Sequence, residues 1–296
     1  MTPQTVRGAL YGIGAAAIWG GLYVVADELL KVFPPFILLT IRLIMSGMVM
    51  LALLILTRTP LPKRRADWGA LLAVGFLGYG ISVGAQMLGT ARSTAINGAV
   101  ITSAAPAFIV LFAALFLAEP LTIRRIIALI TASVGVLIVL NPQAFQLRSE
   151  AFVGDLALVF AAVTWGAYSV LVRRLSTQHP TLSVTLFGMV AGLGIAIPLG
   201  LTELSGWTPP PLTLEILVGL FYVGIISMAG AAWLWNRAFA LVPAATASLF
   251  FFAQPLVGAL LSMIILRQAL TTTLQVGGAL IVAGVFVALT EKARAV

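Results

Sequence analysis

The sequence predicts an all-α polytopic membrane protein: ten transmembrane helices arranged as two inverted five-helix repeats. Three observations lead there. Of the 296 residues, 61% are hydrophobic and only 9% are Asp, Glu, Lys or Arg. An average soluble domain carries about 25% charged residues, so the outside of this chain must face something other than water. Ten mostly apolar stretches approach the roughly 20 residues a helix needs to cross a bilayer. Finally, the second half repeats features of the first at an offset of about 146 residues.

Taken in order, the first-half spans are Gly8–Ala26, preceded by Arg7, then Pro35–Leu56, Trp68–Gly89, Ile96–Leu117 and a short fifth, Arg125–Leu140. A polar link, Asn141–Phe152, leads to Val153–Val172, Leu182–Thr202, Leu214–Trp235, Ala244–Leu266 and Thr271–Thr290. The first span is long, lacks a clear small-x-small cleavage site and precedes nine more, so it reads as retained rather than as a signal peptide. Nothing is left over for a soluble domain.

Orientation follows from counting basic residues. With the N-terminus in the cytoplasm, inner segments hold Arg7, Arg58, Lys63, Arg64, Arg65, Arg124, Arg125, Arg173, Arg174, Arg237, Lys292 and Arg294, twelve in all. Outer segments hold Lys31, Arg92, Arg148 and Arg267, and Arg42 lies inside a span. That bias places both termini in the cytoplasm and accounts for the net charge of +8 without a nucleic-acid partner. The expected location is the bacterial inner membrane.

The repeats occupy residues 1–146 and 147–296. Gly8 corresponds to Gly154, Trp19-Gly20 to Trp165-Gly166, and Pro34 to Pro180. The offset then drifts to 149, where Ala95 matches Ala244, Pro106 matches Pro255, Leu121-Thr122 matches Leu270-Thr271 and Gly135 matches Gly284. Five spans is an odd number, so the second copy enters from the opposite side. Inverted repeats are the architecture of many secondary transporters, with substrate held near the midplane.

The two Trp-Gly pairs carry a family resemblance, as do Arg42 after Pro34-Pro35 and the stretch Ala91-x-x-Thr94-Ala95, Pro106, Leu117-x-Glu119. The last has a second copy at Ala240, Ala244-Ala245, Pro255 and Leu266. Over essentially the whole chain the sequence resembles the EamA family of the drug/metabolite transporter superfamily. The resemblance implies export of small organic metabolites, often amino acids, through a cavity between the first, third, fourth, sixth, eighth and ninth spans. One departure stands out: the acidic residue that closes the motif is Glu119 in the first copy and Gln268 in the second.

Candidate binding residues are aromatic or neutral and polar. Trp19 and Tyr23 share a helix face, and Trp165 and Tyr168 repeat the arrangement. Tyr79 with Gln86, and Trp233 with Asn236, lie on single faces of the third and eighth spans. Asn97, Ser103, Ser248 and Gln254 add hydrogen-bonding groups. Such a set suits a ligand with an apolar body and polar ends, and an aromatic amino acid fits. Packing or interfacial anchoring is the alternative for each, and fits Trp68 and Trp207 best. Pro106 and Pro255, near mid-span, would free the carbonyls of Thr102 and Phe251 and kink the helices; the kink either lines the cavity and hinges the motion or merely packs. Arg42, about 10 Å from the outer end of its span, is either an anchor for a substrate carboxylate or a side chain snorkelling outward or bonding helix-end carbonyls. Gly80 with Gly84, and Gly188 with Gly192, have the spacing that lets helices approach closely. Glu119 is expected in a local ion pair with Arg124 or Arg125, and His179 in a solvated link.

These residues exclude other chemistry. There is no cysteine and one histidine, which leaves little for a metal centre, a cofactor site or a nucleophile with its base. The expected partners are a small-molecule substrate and the lipid bilayer, with the protein acting as a monomer. No carboxylate is expected at the membrane centre, so a facilitative carrier is the simplest mechanism. A broad multidrug exporter and a lipid-translocating protein are the alternatives.

Overall fold

The computed structural model describes residues 3–93, 101–140, 152–254, 257 and 272–289, and among them all regular structure is helical. The first half comprises α1 (Pro3–Leu30, interrupted at Gly21), α2 (Pro35–Leu56), α3 (Arg65–Arg92), α4 (Ala105–Leu117) and α5 (Ile123–Leu140). The second comprises α6 (Phe152–Gln178), α7 (Thr181–Glu203), α8 (Leu214–Leu241), α9 (Ala244–Ser248, continued by a 3-10 turn over Leu249–Phe252) and α10 (Thr272–Leu289). Among the described residues, α1, α2, α3, α6, α7 and α8 are long and apolar enough to cross a membrane.

Both α2 and α7 start directly after a proline, Pro34 and Pro180. In α2 a further proline, Pro35, takes the first helical position, where its missing N–H goes unneeded. The next two N–H groups, of Phe36 and Ile37, donate to Glu203 Oε2 at 2.8 and 3.0 Å. A carboxylate at the end of α7, in the second half, thus caps a helix of the first.

The helices expose Leu51, Ile55, Leu115, Val190 and Phe286 outward, as a lipid-facing surface requires. Lipid is as apolar as leucine, so the helices must be held together by close packing and hydrogen bonds rather than by escape from water. Glycine does this where α5 meets α10. A Cβ on Gly135 would lie 2.6 Å from Gly277 O, and one on Gly284 would lie 2.8 Å from Ala128 O. These two glycines are the repeat-related pair, each set against the other half.

Packing across the halves is reciprocal. Besides α5 on α10, α2 packs on α7, α1 on α8 and α3 on α6. The last two pairings exchange when the halves are exchanged. Among the described residues three apolar clusters form: one around Trp19, Ile109, Trp235 and Phe250, a second around Leu39, Leu43, Tyr79 and Tyr168, and a smaller third around Ala128, Leu249 and Ile281; Trp165 packs against the first two.

Two features depart from regular helix at matching places. Phe76–Ser82 of α3 and Tyr222–Ala231 of α8 are π-helical, and Phe76 and Tyr222 are the repeat offset of 146 apart. Such segments shift hydrogen bonds to i→i+5 and are frequent at functional sites. Pro106 differs from the mid-span kink expected of it. The chain turns at Ser103–Ala104 and α4 begins at Ala105, with proline in its first turn, where no intrahelical bond is lost. Pro255 lies outside the described residues.

Candidate substrate cavity

Seven elements converge on one central cavity. Its wall includes Trp19, Leu22 and Tyr23 of α1, Arg42 of α2, Tyr79, Ser82, Val83 and Gln86 of α3, and Thr102 and Ala105 at the start of α4. The second half supplies Ala161, Ala162 and Trp165 of α6, Ser227, Met228 and Ala232 of α8, and Phe251 and Gln254 after α9. These are the elements the family resemblance implies, with α2 added through Arg42. About 50 Å³ is open to the centres of water molecules, room for roughly three to five waters.

The aromatic wall is continuous across the halves. Trp19 and Trp165 meet edge to face with centroids 5.6 Å apart, and Phe251 lies 6.0 Å from Trp19. Behind them Trp235, fully buried, lies 5.4 Å from Trp19 and donates Nε1 to Ser169 Oγ at 3.2 Å. Edge-to-face and tilted pairings suit the quadrupoles of such rings.

The polar wall is partly satisfied. Tyr23 Oη and Thr102 Oγ1 are 2.7 Å apart, and Gln86 Nε2 donates to Tyr23 Oη at 2.8 Å. Ser82 Oγ donates to Ala161 O at 2.8 Å, and Trp19 Nε1 to Ser227 O at 3.2 Å, the latter within the α8 π-helical segment. Three buried atoms on the same wall have no partner among the described residues: Trp165 Nε1, Ser227 Oγ and Gln254 Oε1. A buried polar atom without a bond is costly, and at a cavity wall it is available to a ligand.

Arg42 does not snorkel: it is 2% exposed. Its Nε donates to Val223 O at 3.1 Å and its Nη1 to Met87 Sδ at 3.1 Å. Val223 lies inside the π-helical segment rather than at a helix end.

Of the residues singled out in the sequence, Trp19, Tyr23, Arg42, Tyr79, Gln86, Trp165 and Gln254 therefore line the cavity. Tyr168 and Asn236 lie off its wall and form a buried network behind Tyr79. Tyr168 Oη donates to Asn236 Oδ1 at 2.9 Å and lies 3.3 Å from Tyr79 Oη, while Asn236 Nδ2 donates to Thr185 Oγ1 at 3.0 Å. Trp233 packs edge to face on Tyr11 instead, at 5.8 Å. Ser248 donates to Ala245 O within its own helix at 2.8 Å. Ser103 and Pro106 are not on the wall, and Asn97 lies outside the described residues.

Sequence reasoning missed Ser82, Thr102, Ser227, Met228 and Phe251. Helical phase could have found some of them. Tyr79, Ser82, Val83 and Gln86 follow the i, i+3, i+4, i+7 pattern of one face, and Phe251 precedes Gln254 by three.

Glu119 does more than pair locally. It lies 3.5 Å from Arg125 Nη1 and 3.4 Å from Arg173 Nε, and accepts the backbone N–H of Ala244 and Ala245 at 2.8 and 3.1 Å. It thereby ties the end of α4 to the start of α9. His179 faces Asp67, 3.9 Å away, rather than open solvent.

The comparisons with known proteins concern the family and the fold. The EamA-like transporter family matches residues 6–141 and again 152–290, one copy on each half. The chain is 25% identical over 288 residues to the uncharacterized transporter YyaM of Bacillus subtilis (strain 168), covering 93% of this chain and 91% of that one. It is 32% identical over 144 residues to the pseudopaline exporter CntI of Pseudomonas aeruginosa (strain UCBPP-PA14), covering 48% of each. A solved crystal structure superposes with a TM-score of 0.79 at 23% identity, covering 95% of this chain and 96% of that one, and so shares the fold. With both halves matched, the chain belongs to the EamA-like transporter family, a family of two-repeat membrane transporters rather than enzymes.

Proposed function

We propose that the protein is a secondary transporter that exports small organic metabolites, aromatic amino acids among them, by alternating access through the central cavity. The observation that carries this reading is the wall itself. Repeat-related tryptophans, Trp19 and Trp165, meet on it, beside buried polar atoms that have no partner among the described residues. A ring stacks on such a surface while its polar ends take the free donors and acceptors. The resemblance to the bacterial aromatic amino-acid exporter YddG supports the same substrate class.

In this reading the chain crosses the bacterial inner membrane ten times, with inverted halves and both termini in the cytoplasm, and works as a monomer. Reciprocal packing of the halves and their matched π-helical segments support the inversion. Two copies in opposite orientations exchange conformations, turning a cavity open on one side into one open on the other. The narrow cavity described above is then a contracted state that must widen to admit a substrate. With no acidic side chain on the described wall, flow follows the substrate's own gradient.

The test is uptake of labelled Phe, Trp, Thr and a nucleotide sugar by proteoliposomes without an imposed proton gradient. Phe and Trp should enter, and Trp19→Ala or Trp165→Ala should slow them while the protein stays folded. Strict dependence on a proton gradient, or unchanged uptake in both variants, would overturn this reading.

A further inference from the structure

Arg42 is the charged side chain on the described cavity wall, and no carboxylate among the described lining residues balances it. A guanidinium has five N–H groups. Here one donates to Val223 O and one to Met87 Sδ, a weak thioether acceptor. The rest have no protein acceptor among the described residues. No acidic residue is among the described lining residues: Asp67 faces His179, Glu119 caps α9, and Glu203 caps α2. A charge this deep in a membrane span is normally paired or turned to a water-filled cavity. Trp165 Nε1 adds a second unspent buried donor on the same wall. A cation and an idle donor call for acceptor oxygens.

We propose that the cavity selects the net anion: an aromatic carboxylate whose carboxyl oxygens sit on Arg42, whose ring lies among Trp19, Trp165 and Phe251, and which crosses without a coupling ion. This rests on the carrier reading above and narrows it. The ammonium of an amino acid becomes dispensable, because no described side chain on the wall offers it a counter-charge. Arg42 stays with the protein in every state, so each cycle moves the substrate's own negative charge. A membrane potential negative inside then drives the substrate outward, by about 50-fold in concentration per 100 mV for one charge. Export needs neither proton nor sodium. An aromatic amine, repelled by Arg42, is excluded, which also separates this carrier from exporters of cationic drugs.

The test uses the full chain in proteoliposomes whose potential is set by a potassium gradient and valinomycin, with empty liposomes as background. The probes are N-acetylphenylalanine, a net anion, phenylalanine, a zwitterion, and phenylalaninamide, a cation. N-acetylphenylalanine should enter, and its final accumulation should rise about 50-fold between zero and 100 mV inside-positive. Phenylalanine should enter more weakly and without regard to potential, and phenylalaninamide should not compete. Arg42→Gln should slow anion entry at least about tenfold, the loss expected for one charge-assisted contact, and Arg42→Lys should restore part of it. Entry of phenylalanine without the anion, anion entry indifferent to potential, or an Arg42→Gln variant as fast as the native protein would overturn this inference and leave the carrier reading standing. Entry of neither compound would overturn both. Should Arg42→Gln fail to fold, thermal unfolding of the native protein decides: the anion must raise its midpoint and the amide must not, and the reverse order overturns the proposal.

Discussion

Replacing Glu119 by alanine tests whether one carboxylate joins the halves of the fold. Ala244 and Ala245 open α9, and their N–H groups have no partner within that helix. Glu119 supplies both, at 2.8 and 3.1 Å, from a side chain 12% exposed. A hydrogen bond to a charged acceptor contributes about 1.5–3 kcal/mol, so losing two costs about 3–6 kcal/mol. The arginines keep other acceptors, Pro120 O for Arg125 and Phe239 O for Arg173, so their share of the loss is small. At about 2 °C per kcal/mol for a chain of this size, the unfolding midpoint should fall by about 6–12 °C. Glu119→Gln keeps one acceptor oxygen without the charge, as Gln268 does at the matching position of the second half, and should lose about half as much. The assay is thermal unfolding of detergent-purified protein, followed by the fluorescence of its six tryptophans. An unchanged midpoint in Glu119→Ala would refute the reasoning, and so would an equal loss in both variants.

Other substitutions probe the packing and the network behind the cavity. A Cβ on Gly188 would lie 2.5 Å from Tyr79 Cε2, so Gly188→Ala should cost about 1–3 kcal/mol by overpacking and shift Tyr79 toward the cavity. Gly47→Ala meets nothing within 4 Å and should be neutral or stabilise by up to about 1 kcal/mol through helix propensity; the same unfolding assay compares the two. Tyr168→Phe leaves Asn236 Oδ1 without its 2.9 Å donor and should lower stability by about 1–3 kcal/mol, read from chemical denaturation. Gly135→Leu would drive a side chain into Gly277 O across the α5–α10 contact. It should abolish monodisperse purification, whereas the same change at Gly47 should not.

The architecture was legible because it is written in quantities that add along the chain. Apolar length marks the spans, and the internal offset pairs Gly135 with Gly284, which the structure places in matching close contacts. The same offset joins Trp19 to Trp165, and the structure brings that pair together on the cavity wall. Phase was harder. In α8 the sequence favours Trp233, but Trp235 joins the aromatic cluster while Trp233 turns to Tyr11. The π-helical segment upstream displaces the helical register, and no simple periodicity announces it beyond glycines such as Gly224 and Gly230. Pro106 was misread for a related reason. A proline inside an apolar stretch looks the same whether it kinks a helix or begins one, and the turn at Ser103–Ala104 decides. For Arg42, sequence gave depth but not direction; only the packed structure shows it turned inward, between the carbonyl of Val223 and the sulfur of Met87.

The central claim is that small aromatic metabolites cross through this cavity. It is tested most directly by uptake of labelled phenylalanine into proteoliposomes carrying either the native chain or Ala161→Phe. Ala161 lines the cavity with a methyl group, and a benzyl group there fills a space that holds only a few waters. The account predicts uptake above empty liposomes for the native protein, and its loss in a variant that still folds. Equal uptake by both proteins would contradict it.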